Sequence, residues 1–122
     1  MRSGDIDRTL AALAEPTRRR VVDLLRAQAR RAGELAEALE MSAPAMSRHL
    51  RVLREAGITE ERDLAEDGRV RIVSLRRERL AELGAWLGDV ESFWSGQLEG
   101  FAAHAERTRE LGPGRKARKG AA

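Results

Sequence analysis

A chain of 122 residues, 42% of them apolar, has room for one domain with a real core and an appended helix or tail. It has no cysteine, which excludes disulfides and thiolate metal sites, and no apolar run approaches the roughly 20 residues of a membrane span. The first residues lack the apolar core of a signal peptide, so we expect a cytoplasmic protein with no membrane partner. The net charge of +3 is less informative than its distribution along the chain.

Two short helices are predicted at the start of the chain. Residues 5–14 place Ile6, Leu10 and Leu13 on one helical face. Pro16 interrupts this helix and begins the next, because the residue before a proline avoids helical angles. The second helix has an apolar stripe of Val21, Val22, Leu24 and Leu25. The run Arg18–Arg20 in its first turns is explained either by a solvated face or by contacts to phosphates.

Residues 31–58 have the pattern of a helix, a tight turn and a second helix. The first of these helices runs from about Ala32 to Glu40. Its predicted buried face consists of Leu35, Ala36 and Leu39. Its outward side chains are acidic: Glu34, Glu37 and Glu40. Because acids are repelled by phosphates, this helix is expected to support the next one rather than to contact nucleic acid itself.

The following helix carries the most informative pattern in the chain. Ser42 is a good N-cap, and Gly57 is placed to end the helix as a C′ glycine. Its core positions, spaced by four and three residues, are Met46, Leu50 and Leu53. On the opposite side lie Pro44, Arg48 and Arg51, with the short residues Ala43 and Ser47 near the exposed end. Such a helix is suited to enter the major groove of DNA.

Two strands, Ile58–Ala65 and Arg69–Leu75, are predicted after Gly57, with an Asp-Gly hairpin turn between them. A hairpin in this place is a wing, from which Arg69 and Arg71 could reach phosphates or the minor groove. The hairpin is also rich in acidic residues, and a solvated structural hairpin is the alternative.

A long helix is predicted from about residue 78 to 111, and its apolar side chains are spaced by three and four residues. The predicted dimerisation residues are Leu83, Leu87, Val90, Trp94, Leu98 and Phe101. A single small domain has too little core to cover this stripe. The stripe therefore favours a second copy of the chain as the partner of the helix. The alternative is a helix that breaks near Gly84, Gly88, Gly96 or Gly100 and folds back.

The charge changes sign after this helix. Acidic residues outnumber arginines in residues 78–111, whereas the last residues hold Arg115, Lys116, Arg118 and Lys119. We therefore divide the chain into a domain at residues 1–111, which includes the dimerisation helix, and a basic disordered tail at residues 112–122.

Three segments, AEPTRRRVVDLL, GELAEALEMSAPAMSRHLRVLREAGI and GRVRIVSL, occur in the order found in ArsR-type winged-helix repressors. The resemblance to that family covers residues 5–110, and the C-terminal segment AWLGDVESFWSGQLEGFAAHAE resembles the last helix of a metal-independent branch of it. This resemblance implies a mainly α fold with a small β-hairpin, in which a winged helix-turn-helix is followed by a long C-terminal dimerisation helix. It also implies a homodimeric transcriptional repressor that binds double-stranded DNA at an inverted-repeat operator.

By the same resemblance, Ala43, Pro44, Ser47 and Arg48 lie at the groove, with Ser42, His49 and Arg51 beside them. Position 43 is often glutamine in the family. Glutamine can form hydrogen bonds to adenine and Ala43 cannot. We therefore expect contact with a thymine methyl group or recognition of DNA shape to contribute more to the sequence preference. The alternative function is a winged-helix interaction module that has lost specific DNA binding.

The residues predict neither a cofactor nor a metal site, and they indicate no particular effector. His104 shares a helix with Asp89, Glu91 and Glu106, but without the paired-histidine spacing of the metal sensors in the family. No pair of nucleophile and base and no phosphate-binding glycine loop is found, so we do not expect an enzyme.

Overall fold

The computed structural model describes residues 3–63 and 70–110. Two short helices come first, α1 (Ser3–Leu13) and α2 (Pro16–Leu25). The strand β1 (Arg30–Arg31) precedes α3 (Ala32–Ala38) and α4 (Ala43–Glu55). The strands β2 (Thr59–Asp63) and β3 (Arg71–Leu75) lead to the long helix α5 (Arg77–Glu110). The mainly α, winged helix-turn-helix fold that the sequence predicts is confirmed.

The helices α2, α3 and α4 and the sheet enclose one apolar core. Its buried helical residues include Val21, Leu25, Leu35, Met46, Leu50 and Leu53. Ile58, just before β2, and Val73, on β3, are also buried in it. All three residues of the predicted α4 stripe are buried, as the helical spacing requires. Burial of each such side chain favours folding by about 1.5–3 kcal/mol. The rigid position of α4 follows from this packing.

The sheet has three antiparallel strands in the order β1-β3-β2. In the register, Thr59 pairs with Leu75 and Asp63 pairs with Arg71, while Arg30 pairs with Val73. The third strand, β1, was not predicted, because two arginines carry no strand pattern of their own. Within the described residues, β2 begins at Thr59 rather than at the predicted Ile58, and Val70 lies outside β3. The predicted turn, Ala65 and Arg69 lie outside the described residues.

Local turn chemistry fixes both ends of α4. The Ser42 hydroxyl accepts a hydrogen bond from the Ala45 amide at 3.2 Å, which confirms the predicted N-cap. Gly57 has a φ of 78°, a left-handed conformation that glycine adopts at low cost, and it ends the helix as predicted. Before the turn, α3 ends at Ala38 rather than at Glu40, since Glu40 itself has a positive φ of 54°.

Arg18 and Arg19 serve the fold in a way that neither sequence interpretation anticipated. The Nε of Arg18 donates to the Ala12 carbonyl at 2.6 Å, and Nη1 of Arg19 donates to the Leu13 carbonyl at 2.8 Å. The last carbonyls of a helix have no partners within it, so these guanidinium groups cap α1 and tie it to α2. Arg20 remains exposed.

The buried face of α1 also differs from the predicted one. Thr9 and Ala12 are buried, whereas Leu10 is 42% exposed. The Thr9 hydroxyl can enter the interior because it donates to the Asp5 carbonyl at 2.9 Å. The apolar pattern of this short helix therefore identified the helix but not the residues that it buries.

By its internal contacts the chain divides into two units, which meet in sequence at Ala85 and Trp86. The first unit contains the core and the sheet. In the second unit α5 continues without interruption to Glu110, so the predicted alternative of a break at a glycine is wrong.

Candidate nucleic-acid interface

Helix α4 presents a continuous exposed face opposite its buried stripe. Ser42, Ala43 and Pro44 are exposed at its N-terminal end, and Ser47, Arg48 and Arg51 are exposed along its first turns. The first three are short or compact, so a phosphate or base edge could approach the backbone closely. The positive end of the helix dipole lies at the same place. The sequence-predicted set is thus brought together on one surface, apart from the residues considered next.

His49 lies at the edge of this face and points toward α2. Its Nδ1 is 3.7 Å from Oε2 of Glu15, and the imidazole is 21% exposed. Glu15 is the N-cap of α2, where its Oε2 accepts a hydrogen bond from the Arg18 amide at 3.1 Å. The contact therefore joins α4 to the start of α2, which gives His49 a structural role in the unbound chain.

The pKa of Glu15 lies below its ordinary value. Burial acts to raise this pKa, but hydrogen bonds from the Arg18 and Thr17 amides and the charges of His49 and Arg18 together outweigh it. The carboxylate form is therefore favoured, as expected of a side chain that caps a helix N-terminus.

Arg71 extends the basic surface from α4 onto the wing, which we define as β2 and β3. Its Nη1 donates to Oε2 of Glu61 at 3.1 Å, and its Nη2 lies 3.5 Å from Oγ of Ser47. The second predicted wing arginine, Arg69, lies outside the described residues. On the described part of the wing, Arg71 thus stands directly beside the exposed face of α4.

Two further residues belong to this surface and were missed by sequence reasoning. Arg54, in the last turn of α4, places its Nη1 3.1 Å from Oε2 of Glu61. Glu61 lies on β2, and its side chain is only 10% exposed. The sequence shows that the hairpin is rich in acidic residues, but its pattern does not identify Glu61 as the acid that pairs with two arginines.

A groove of about 510 Å³ runs between α3, α4 and the wing. Charged side chains of both signs line it, among them Arg31, Glu34, Glu37 and Arg71. Ala43 and Ser47 form its α4 side. Ala32, Met46 and Val70 also line it, so the groove combines charged and apolar side chains beside α4.

Within residues 3–63 and 70–110, no three histidine, aspartate or glutamate side chains come together as metal ligands. In the same part of the chain, no helix combines the length and the apolar character that crossing a membrane requires.

The second unit has an exposed apolar face of its own. Large side chains along α5 remain open to solvent in the single chain: Trp86, Leu87, Val90, Phe93, Trp94, Leu98 and Phe101. The exposure reaches 63% for Leu98 and 74% for Phe101. Of the predicted dimerisation residues only Leu83 is half-buried, and it belongs to the first unit. So large an apolar stripe is unusual on the surface of a monomer.

The helices α2, α3 and α4, of which α4 has an exposed basic face and is followed by the wing, define a winged helix-turn-helix protein. The family model "Bacterial regulatory protein, arsR family" matches residues 15–61. The HTH-type transcriptional regulator Rv2034 of Mycobacterium tuberculosis is 38% identical over 96 residues, which cover 79% of this chain and 84% of that protein. The chain therefore belongs to the ArsR family of bacterial transcriptional regulators, as the resemblance of its motifs predicted.

Two other similar proteins bear on function. The transcriptional repressor SdpR of Bacillus subtilis is 40% identical over 47 residues, which are 38% of this chain and 52% of the repressor. A solution structure from Mycobacterium bovis, Mb0332, is described as a homodimeric winged helix-turn-helix DNA-binding domain. It is 26% identical with a TM-score of 0.59, and the match covers 73% of this chain and 80% of that one.

Proposed function

We propose that the chain is a homodimeric repressor of an inverted-repeat operator. The α4 helices of the two copies enter two successive major grooves. The observation that carries this proposal is the exposed face of α4, where Ser47, Arg48 and Arg51 stand opposite a fully buried stripe. A helix fixed by its core on one side and basic on the other can enter the groove without losing its packing. We also propose that it acts in the cytoplasm, where bacterial DNA lies, as a regulator rather than as an enzyme.

Individual side chains would have different tasks in the complex. Arg48 can make two hydrogen bonds to a guanine or pair with a phosphate, and Ser47 can bond to either. Ala43 offers a methyl group for contact with thymine. Ser42, Pro44, Arg51 and His49 would border this contact, and Arg69 and Arg71 of the hairpin would reach phosphates or the minor groove.

The homodimer is supported by the exposed stripe of α5. Burying large apolar side chains contributes about 1.5–3 kcal/mol each, and a second copy supplies an identical stripe to cover them. The similar protein SdpR is a repressor, which supports the proposed activity, and the similar structure Mb0332 is homodimeric, which supports the proposed assembly. In this proposal residues 1–111 act as one functional domain, and the basic residues 112–122 add sequence-independent attraction to DNA.

The direct experiment is a gel shift with the DNA fragment upstream of the chain's own coding sequence, against random DNA at physiological salt. We expect a preference of about 10³-fold or more, which is the range of specific DNA-binding proteins. Light scattering of the same sample is expected to give twice the 13.5 kDa mass of the chain. Equal and weak binding to both DNAs at dimer mass would contradict operator binding at this promoter.

The alternative function is an interaction module without specific DNA binding. Ala43, exposed at the groove end of α4, favours it, because this side chain makes no hydrogen bond to a base edge. A selection of binding sites from random duplexes separates the two functions: a repressor enriches one inverted repeat, whereas the interaction module enriches none.

A further inference from the structure

The acidic residue Glu61 occupies an unexpected place in a surface that is proposed to bind DNA. Its side chain is nine-tenths buried between the wing and α4. One carboxylate oxygen, Oε2, receives both Nη1 of Arg54 and Nη1 of Arg71, each at 3.1 Å. A single oxygen therefore connects the last turn of α4 with the first residue of β3.

The contacts of Arg71 extend this connection to the groove face. Its second nitrogen, Nη2, lies 3.5 Å from Oγ of Ser47, which is seven residues before Arg54 on the same helix. Seven residues correspond to roughly 10 Å along a helix axis. The wing is thus held to α4 at two separated points, a geometry that restricts rotation of the wing about the helix.

Both arginines keep part of their surface in solvent. The side chains of Arg54 and Arg71 are 45% and 39% exposed, so each guanidinium retains donors for a further acceptor. The three charges sum to a net positive group. Glu61 therefore leaves the surface basic while it fixes where the basic groups lie.

Stability alone accounts poorly for a carboxylate in this position. Desolvation of a buried charge offsets much of the attraction that it gains from its partners. In addition, Oε1 of Glu61 is buried and has no hydrogen-bond partner among the described residues. The second oxygen thus adds a cost that the contacts of Oε2 must overcome.

We infer that Glu61 is a positioning residue, which orients Arg54 and Arg71 toward the phosphates of the operator. This inference rests on the proposed function. The pairing holds the two guanidinium groups in place before DNA arrives, so less side-chain entropy is lost on binding. The acid would then increase affinity for a polyanion, which is the opposite of what its charge alone predicts.

Whether Glu61 raises or lowers the affinity for DNA is tested with Glu61→Gln and a matched control, Glu60→Gln. Glu60 is the preceding residue on β2, is exposed, and has no ion pair within residues 3–63 and 70–110. Both variants remove one negative charge. Each is titrated by fluorescence anisotropy with a duplex that the wild-type protein selects from random sequences, at several salt concentrations.

We expect Glu60→Gln to bind as tightly as the wild type or a few-fold more tightly. Glu61→Gln is expected to bind about ten-fold more weakly or worse, with a salt dependence shallower by about 0.9 for each phosphate that its arginines no longer neutralise. The slope identifies positioning, because a partly unfolded sample lowers the apparent affinity at all salt concentrations without changing the number of phosphates that the folded protein neutralises.

Equal behaviour of the two variants would overturn the inference and leave operator binding intact. A wild-type protein that selects no preferred duplex would overturn the proposed function, and this inference with it. Thermal unfolding of each variant is recorded alongside. If Glu61→Gln shows no cooperative transition, Glu61→Asp replaces it. That variant keeps the net charge, so a ten-fold loss of affinity again supports positioning and wild-type affinity again overturns it.

Discussion

Truncation of Arg48 is the most direct test of the proposed DNA contact. The side chain is exposed on α4 and has no hydrogen bond or ion pair among the described residues. Arg48→Ala therefore removes no contact on which the core depends. Exposed substitutions of this kind change the free energy of unfolding by about 0.5 kcal/mol or less, so the variant should remain folded.

The expected loss of affinity follows from the number of hydrogen bonds to DNA. An arginine with two hydrogen bonds to a guanine contributes about 1–3 kcal/mol of discrimination. A homodimer places Arg48 at two half-sites, which doubles the effect to about 2–6 kcal/mol. Since 1.4 kcal/mol corresponds to a factor of ten, the dissociation constant should rise by at least about 30-fold.

The assay is fluorescence anisotropy with the selected duplex and with a scrambled one. Arg77→Ala is the control, because Arg77 is exposed at the start of α5, at the far end of β3 from Arg71, and its truncation removes the same charge. A guanine contact predicts that binding to the selected duplex weakens while binding to the scrambled one changes little. A phosphate contact predicts that both weaken. Wild-type affinity at matched salt would refute both assignments.

Three further outcomes are expected. Ser42→Ala should lower the free energy of unfolding by about 1 kcal/mol in urea denaturation, and Ser47→Ala, which removes no cap and only an exposed 3.5 Å contact with Arg71, should lower it by less. The double variant Trp94→Ala with Leu98→Ala should shift the dimer to monomer in light scattering at micromolar concentration, since both side chains are exposed in the single chain. A variant that stays dimeric would place the interface elsewhere. Because the folded pKa of Glu15 is lowered, its stabilisation is present above the ordinary value of 4.5 and lost as the pH falls through the folded pKa. The stability difference between wild type and Glu15→Gln should therefore shrink on acidification below pH 4.5, and a constant difference would contradict this role.

Local rules account for the parts of the fold that the sequence could predict. The stripe of α4 was correct because its helical spacing lies within a single element. The N-cap at Ser42 and the C′ glycine at Gly57 were correct because each acts on a backbone group a few residues away. The candidate face of α4 follows from the same periodicity, since positions opposite a buried stripe must be exposed.

The features that escaped prediction depend on partners distant in sequence. Strand β1 exists because Arg30 pairs with Val73, a relation that no local pattern encodes. Thr9 is buried and Leu10 is exposed because the face of α1 that meets the core, where Ala12 lies, is set by packing and not by the pattern of the helix itself. The grouping of Glu61 with two arginines requires the register of β2 against β3 and the packing of both on α4.

Hydrogen bonds between arginines and helix ends change how the basic residues of the first unit are understood. Arg18, Arg19 and Arg30 donate to carbonyls at the ends of α1 and α2, so part of their hydrogen-bonding capacity is used within the fold. A count of arginines would therefore overstate the number of phosphates that the protein can bind. On α4 and the wing, the two elements that Glu61 connects, Arg54 and Arg71 keep 45% and 39% of their side chains exposed. Affinity for DNA should accordingly depend more on the orientation of a few guanidinium groups than on the net charge of the chain.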